Sequence, residues 1–293
     1  MNQILSYSLI KNISFFIIFL IAIPLFAKPI SPIQTDEKEI LTINGKRRAY
    51  YQLHNNQLEY HINGPRRIKI YSRRAVPKKV EGEKNFSYDI QIDNNTKFTV
   101  KDRQSISKGV TSSQHPGHGY SKSGKYFFNI PSGNHIITIT PHQKNSPPIL
   151  IRMIENKFQN NESGELMTAV DDSTIYLLKI GDTKYKYQKL SDNKSLIFNT
   201  EDFSSIKILS RLGFENWMPH QEYYRIRLSQ DDKEIGIFYF STEKSDSSSF
   251  LDFRDLIPGK RRTCEYDAKK NTSEFKIELL DKNKTVFLRC IGY

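Results

Sequence analysis

The 293-residue chain has only two cysteines and one tryptophan, and beyond residue 27 it has no long apolar run. Glycine and proline are modest, at 14 and 12, while tyrosine and phenylalanine reach 16 and 18, which excludes a disordered composition. No stretch after the N-terminal segment keeps a helical period for more than a few turns, which argues against a helical fold. There is no phosphate-binding loop and no dinucleotide fingerprint. Gly119-Tyr120-Ser121-Lys122-Ser123 lacks the closing glycine of a nucleophile elbow, and the recurrent Ser-x-x-Lys spacing is noise in a chain this rich in both residues. His115 and His118 are the one close histidine pair. Zinc takes three or four protein ligands and no third is near, so Gln114–Gly119 reads as a loop, and neither metal nor cofactor is expected.

What is present begins with a targeting segment. Lys11 is the only charge among residues 1–27, and an apolar run from Ile13 to Ile23 precedes Pro24-Leu25-Phe26-Ala27. A basic start, a short apolar stretch and a small residue compose a secretory signal peptide, with cleavage expected after Ala27. Counted through Ala27 the apolar stretch is about 15 residues, shorter than the roughly 20 a membrane-spanning helix needs. No cysteine stands at the site to carry a lipid. The mature chain is therefore expected in the periplasm or outside the cell, membrane-anchored only if the segment is retained. Its net charge of about +11 speaks for anionic partners other than nucleic acid.

The remaining sequence is written twice. Ile68-Lys69-Ile70-Tyr71-Ser72-Arg73-Arg74 returns as Ile206-Lys207-Ile208-Leu209-Ser210-Arg211-Leu212. Tyr88–Ile92 matches Tyr224–Leu228, Ser123-Gly124-Lys125 matches Pro258-Gly259-Lys260, and Ile149–Ile154 matches Val286–Ile291. Ordered matches at nearly constant spacing indicate an internal duplication. Apolar and polar residues alternate in short runs such as Tyr88-Asp89-Ile90-Gln91-Ile92, with turns at Asn44-Gly45, Asn63-Gly64-Pro65 and Asp231-Asp232. The expected fold is all-β: two tandem antiparallel β-sandwich modules, spanning 38–155 and 172–293, after a signal peptide at 1–27. Residues 156–171 form the expected linker, with a short helical turn at Glu165-Leu166-Met167. Cys264 and Cys290, close together in an exported chain, are expected to form a disulfide in the second module.

The strongest candidate site is basic. Residues 44–84 hold eleven lysines and arginines against three glutamates. Arg66, Arg67, Lys69, Arg73 and Arg74 are the candidate polyanion contacts, because guanidinium forks suit carboxylate and phosphate. The opposing reading is a solvated or edge-guarding basic strand. Arg73 and Arg211 occur in both copies, which points to a structural role. Trp217 follows the repeated strand in the second copy without a counterpart in the first.

The phrase Gly64-Pro65-Arg66-Arg67-Ile68-Lys69-Ile70-Tyr71-Ser72-Arg73 resembles one in uncharacterised exported bacterial proteins with tandem β-sandwich modules. That resemblance implies the fold and no activity. The expected function is a non-catalytic binding or scaffold protein of the envelope, engaging anionic polysaccharide, lipid head groups or an acidic protein through its basic module. The alternatives are a purely structural assembly module and a carbohydrate-active hydrolase, the latter requiring a deep cleft with two facing carboxylates.

Overall fold

A computed structural model describes residues 29–34, 38–93, 96–143, 146–156, 164–171, 174–268 and 274–293; the expected signal peptide lies outside them. The described residues form strands and no helix, so none forms a helix long and apolar enough to cross a membrane. The first half has β1 (Pro29–Ile30), β2 (Lys38–Ile43), β3 (Lys46–Leu53), β4 (Leu58–Pro77), β5 (Glu83–Ile92), β6 (Thr96–Ser107), β7 (Val110–Ser112), β8 (His118–Ser121), β9 (Gly124–Pro141) and β10 (Ile149–Asn156). The second has β11 (Glu165–Met167), β12 (Tyr176–Ile180), β13 (Thr183–Ser191), β14 (Leu196–Asn199), β15 (Ser205–Phe214), β16 (Gln221–Gln230), β17 (Lys233–Glu243), β18 (Ser248–Phe250), β19 (Ile257–Pro258), β20 (Arg262–Asp267), β21 (Glu274–Leu279) and β22 (Thr285–Gly292).

The duplication is visible in the hydrogen-bonded register. Ile70 faces Met153, and Ile208 faces Cys290. Leu58 faces Ile139, and Leu196 faces Ile277. Ile90 also faces Ile139, and Leu228 faces Ile277. The two copies are thus related by a shift of 137 or 138 residues across both sheets. This register corrects two sequence matches. Tyr88 is the counterpart of Ile226, and Phe86 that of Tyr224, two residues from the match by residue type. Gly124, facing Ser72, corresponds to Arg262, facing Ser210, and not to Gly259, and Cys264 takes the place of Tyr126, since each faces the central isoleucine of its copy. A period of two keeps the same face inward after a two-residue slip, so side-chain type alone could not detect it.

In each half one sheet stacks on another. In the second half β14-β21-β16-β17 is one sheet, and β20-β15-β22-β13-β12-β18 forms the other. In the first half the same two layers are joined, because β4 and β9 are single bent strands where the second copy has β14 with β15 and β20 with β21. Both bend where the register slips between Gly64 and Arg66. A side chain on Gly64 would overlap the Pro131 carbonyl oxygen, its Cβ falling 1.6 Å away, so the corner requires glycine. Glu165-Leu166-Met167, expected as a helical turn, is strand β11. It pairs with β22 as β1 pairs with β10, Met167 facing Cys290 and Ile30 facing Met153.

The main core of the first half gathers Tyr60, Ile68, Ile70, Ile90, Tyr126 and Ile139, and that of the second gathers Phe198, Ile206, Ile208, Leu228, Phe275 and Ile277. The repeated phrase supplies two isoleucines to each. Each half also lends a ring to the other's core: Phe127 packs in the second, Tyr239 in the first.

That exchange occurs at a seam. Ile237, Phe238 and Tyr239 of β17 pair in parallel with Tyr126, Phe127 and Phe128 of β9. Phe127 and Phe238 stack face to face, with ring centres 4.1 Å apart. The backbones approach so closely that a Cβ on Gly236 would lie 2.6 Å from the Phe127 ring. Beside the seam, the open edge of β20 meets side chains of the first half: Asn129 donates to the Thr263 carbonyl and Arg67 to that of Glu265.

The cysteines do not bridge. Both are buried free thiols, and both face Ile208, Cys264 from β20 and Cys290 from β22, on either side of β15. One strand therefore separates them, placing their Cα atoms roughly 10 Å apart at ordinary strand spacing, beyond the reach of a disulfide. They act as small apolar core side chains, and burial drives the Cys264 thiol up to about 12.

Candidate functional site

The five basic candidates do not form one surface. Strand alternation sends Arg66 and Arg74 to the face that also carries Ile68, Ile70 and Ser72, and Arg67, Lys69 and Arg73 to the other. Arg66 pairs with Glu155 and donates to the Asn63 carbonyl. Arg67 is buried beside β20, where loss of solvent lowers its pKa against the opposing pull of Cys264, Glu265 and Asp267. Lys69 lies over the Tyr71 and Phe127 rings, and burial brings its amine down to about 8. Arg73, also buried, donates to the Ser121 carbonyl and the Tyr50 hydroxyl, and Arg74 donates to the Asn85 carbonyl. Each of these side chains is engaged within the fold, and the five are split between two faces of β4.

A cationic groove lies instead across the seam. Two adjoining depressions of about 650 and 580 Å³ share Gln104 and Glu234. The first is lined by Lys101, Asp102, Arg103 and Arg227 with the amides and hydroxyls of Asn85, Ser87, Gln143 and Ser146. The second is lined by Lys122, Ser123, Lys125 and Lys233, and Arg73 forms part of its wall. Strands β5, β6 and β9 contribute from the first half and β16 and β17 from the second.

The charges in this groove differ in how far they are committed. Arg103 pairs with Glu83 at 2.6 Å, and Arg227 with Glu234 at 3.2 Å. Lys101, Lys122 and Lys233 have no carboxylate partner among the described residues. Two carboxylates also line the groove. Asp102 turns back on its own chain, one oxygen accepting from the Arg103 amide and the Gln104 side chain. Its other oxygen is buried at Gly124. Glu234 stands above the usual carboxylate range because it loses solvent and lies near Asp102, with Arg227 opposing the shift.

On the other side of the seam a cleft of about 640 Å³ has Phe98, Phe128, Tyr239 and Phe240 at its base. These rings are nearly inaccessible, Phe128 at 2% and Tyr239 at 4%, so they offer no stacking platform. Lys260 is paired there with Glu243, and Arg262 donates to the Ser241 carbonyl.

The histidine loop is structured, and its partners were not legible in the sequence. Gln114 spans the edge of β2, accepting from the Ile40 amide and donating to the Lys38 carbonyl. His115 Nδ1 donates to buried Glu39 at 2.8 Å, and the Tyr120 hydroxyl donates to the other Glu39 oxygen at 2.7 Å. Burial opposes ionisation of Glu39, but bonds from Ser112, His115 and Tyr120 prevail and hold its pKa below the usual value. No cluster of three or more metal-ligating side chains occurs among the described residues. Trp217 is 67% exposed, with its indole donating to Glu215.

No protein-family model matches the chain, and no curated protein sequence does. Among solved structures, the M60 catalytic domain of Clostridium perfringens ZmpB with its CBM51-1 and CBM51-2 domains aligns at 10% identity and a TM-score of 0.23. That alignment covers 90% of this chain and 37% of the other, so the chain spans little over a third of that protein. The CBM22-1–CBM22-2 tandem of Paenibacillus barcinonensis Xyn10C aligns at 9% identity and a TM-score of 0.22, covering 88% of this chain and 92% of the other. PNGF-II aligns at 8% identity and a TM-score of 0.23, covering 91% and 64%. Scores this low establish neither common ancestry nor a shared site.

Proposed function

We propose that this is an exported, non-catalytic binding protein that holds an anionic glycan in the cationic groove across its seam. The observation that carries this reading is the trio Lys101, Lys122 and Lys233, drawn from both halves and without carboxylate partners among the described residues. Amides and hydroxyls between the cations suit sugar hydroxyls, while the charges suit uronate or sulfate groups. A lipid head group fits less well, because among the described lining residues only Pro147 and the half-buried Ile237 offer accessible apolar surface for acyl chains. Export rests on the N-terminal segment read from the sequence. We place the repeated units at 29–156 and 166–293, since β1 and β11 are equivalent first strands.

Hydrolysis is the weaker reading. Asp102 and Glu234 do line one cleft, but Asp102 is bonded to its own chain and Glu234 to Arg227. Both carboxylates are engaged within the protein, Asp102 through one oxygen and Glu234 through its ion pair, where glycoside cleavage needs an acid and a base directed at the scissile bond.

The test is calorimetric titration with polygalacturonate and dextran sulfate, with dextran as the neutral control, at several salt concentrations. The acidic polymers are expected to bind, with affinity falling as salt rises. Lys101→Glu, Lys122→Glu and Lys233→Glu together should weaken binding at least tenfold. Equal binding to dextran, or an unaffected triple variant, overturns the reading. Capture of protein partners alone, insensitive to salt, would favour a structural assembly module.

A further inference from the structure

A second cleft, of about 620 Å³, lies at the end of the first sandwich, away from the seam. Its walls are the turn after β4, the end of β6, strand β7 and the histidine loop leading into β8. Lys78, Lys108 and His118 stand at its lining, with Glu81 the one acid. None of these three basic side chains has a carboxylate partner among the described residues. The hydroxyls of Ser105, Ser107 and Thr111 lie among them.

The cleft is held in shape from several directions. The Lys78 amide donates to the Gly117 carbonyl at 2.8 Å, and the Ile106 amide to that of Gly82 at 3.3 Å. His118 stacks on His115, their ring centres 5.1 Å apart, and His115 is fixed by Glu39. A preorganised cationic pocket binds without first ordering its own loop.

The second copy shows that the fold alone does not demand this arrangement. The loop's structural bond is kept: Asp252 accepts from the Leu177 amide as Gln114 accepts from Ile40. The His115–Glu39 ion pair becomes the ring contact of Phe253 with Tyr176. By the same shift, Lys78 becomes Asn216, Lys108 becomes Asp246 and His118 becomes Leu256, while Val80 becomes the buried Met218. The scaffold is common to both copies, and these three basic side chains belong to the first; the second has Lys244 in place of Ile106, with its amine donating to the Met218 carbonyl.

We propose that this cleft is an oxyanion pocket for the phosphate or carboxylate of a small ligand, built only in the first half. Lys78 and Lys108 supply charge, His118 an imidazole donor, and Ser105, Ser107 and Thr111 hydrogen bonds to the remaining oxygens. Lys233, which lines only the seam groove, serves as the control position.

Titration of the full mature chain with inorganic phosphate, glucose 6-phosphate and glucuronate, followed by amide and imidazole NMR shifts, tests the assignment. Saturable shifts are expected at His118, Thr111 and Lys108. Phosphate without glucuronate identifies a phosphate source, and the reverse a carboxylate source. Lys78→Ala with Lys108→Ala should weaken binding at least tenfold, while Lys233→Ala leaves it unchanged. The proposal is overturned if none of the three probes produces saturable shifts at these residues, or if the double variant binds as tightly as the parent. Because the acidic polysaccharides are tested separately through Lys233, failure at one site is distinguishable from failure at the other.

Discussion

Arg73 and Arg211 make the same bond in the two halves of the molecule. Arg73 Nη1 donates to the Ser121 carbonyl at 2.6 Å, and Arg211 Nη1 to the Gly259 carbonyl at 2.7 Å, each across 48 residues of chain. Both arginines are buried, at 8% and 6% exposure. In each half the bond reaches the end of a short strand at the sandwich end, from β4 to Ser121, the last residue of β8, and from β15 to Gly259, the residue after β19. The repeated arginine is therefore a structural tie to a backbone carbonyl.

Substituting either arginine with methionine leaves a buried carbonyl without its charged donor. Arg73→Met and Arg211→Met should each lower stability by about 1.5–3 kcal/mol, measured by urea unfolding of the mature protein. Two similar losses are expected. A neutral effect at one position would show that the two bonds are not equivalent.

Cys264 and Cys290 should remain thiols after export. Ellman's reagent should find two thiols in guanidinium without reductant and almost none in the native protein, where burial raises both thiol pKa values. Reductant should not move the melting temperature. Loss of both thiols in the unreduced, unfolded protein would show that a bridge forms.

Lys69 gives the protein a pH dependence of definite sign. Its folded-state pKa of about 8 lies below the model-compound value of 10.5. Between these values the unfolded chain binds more protons at this site, so its contribution to stability rises with pH across the window. Below pH 8 the desolvation cost is fully present, partly offset by the Tyr71 and Phe127 rings. Lys69→Met should be more stable than the parent by about 1–3 kcal/mol at pH 7, with the difference shrinking toward pH 10.5. A difference that does not vary with pH would remove Lys69 as its source.

The seam should govern whether the halves unfold together. Gly236→Val forces a branched side chain against the Phe127 ring and the Lys125 carbonyl, and Phe238→Ala removes a stacked ring. Loss of a buried phenylalanine costs about 3–5 kcal/mol. Scanning calorimetry should show a single transition in the parent and two in either variant. A single unshifted transition in both variants would show that the seam does not couple the halves.

The sequence alone determined that the chain is a duplicated β protein. Ile68, Lys69 and Ile70 alternate as strand residues must, and their return at Ile206, Lys207 and Ile208 marks one strand used twice. Period-two alternation is local, because it follows from the pleat of a single strand. It assigns a face to each side chain and names no partner strand. Hence Tyr88 could be matched two residues out of register, Cys264 and Cys290 could be paired across an unseen strand, and Arg66 through Arg74 could be counted as one patch. Tertiary structure decided those points, since strand order and backbone pairing depend on contacts between distant segments. It also formed the parallel seam between Phe127 and Phe238, and with it a groove in which Lys101 and Lys122 lie more than a hundred residues from Lys233 in sequence. Lys101 and Lys233 carry no shared pattern that alternation or composition could reveal; only the meeting of two sheet edges brings them together.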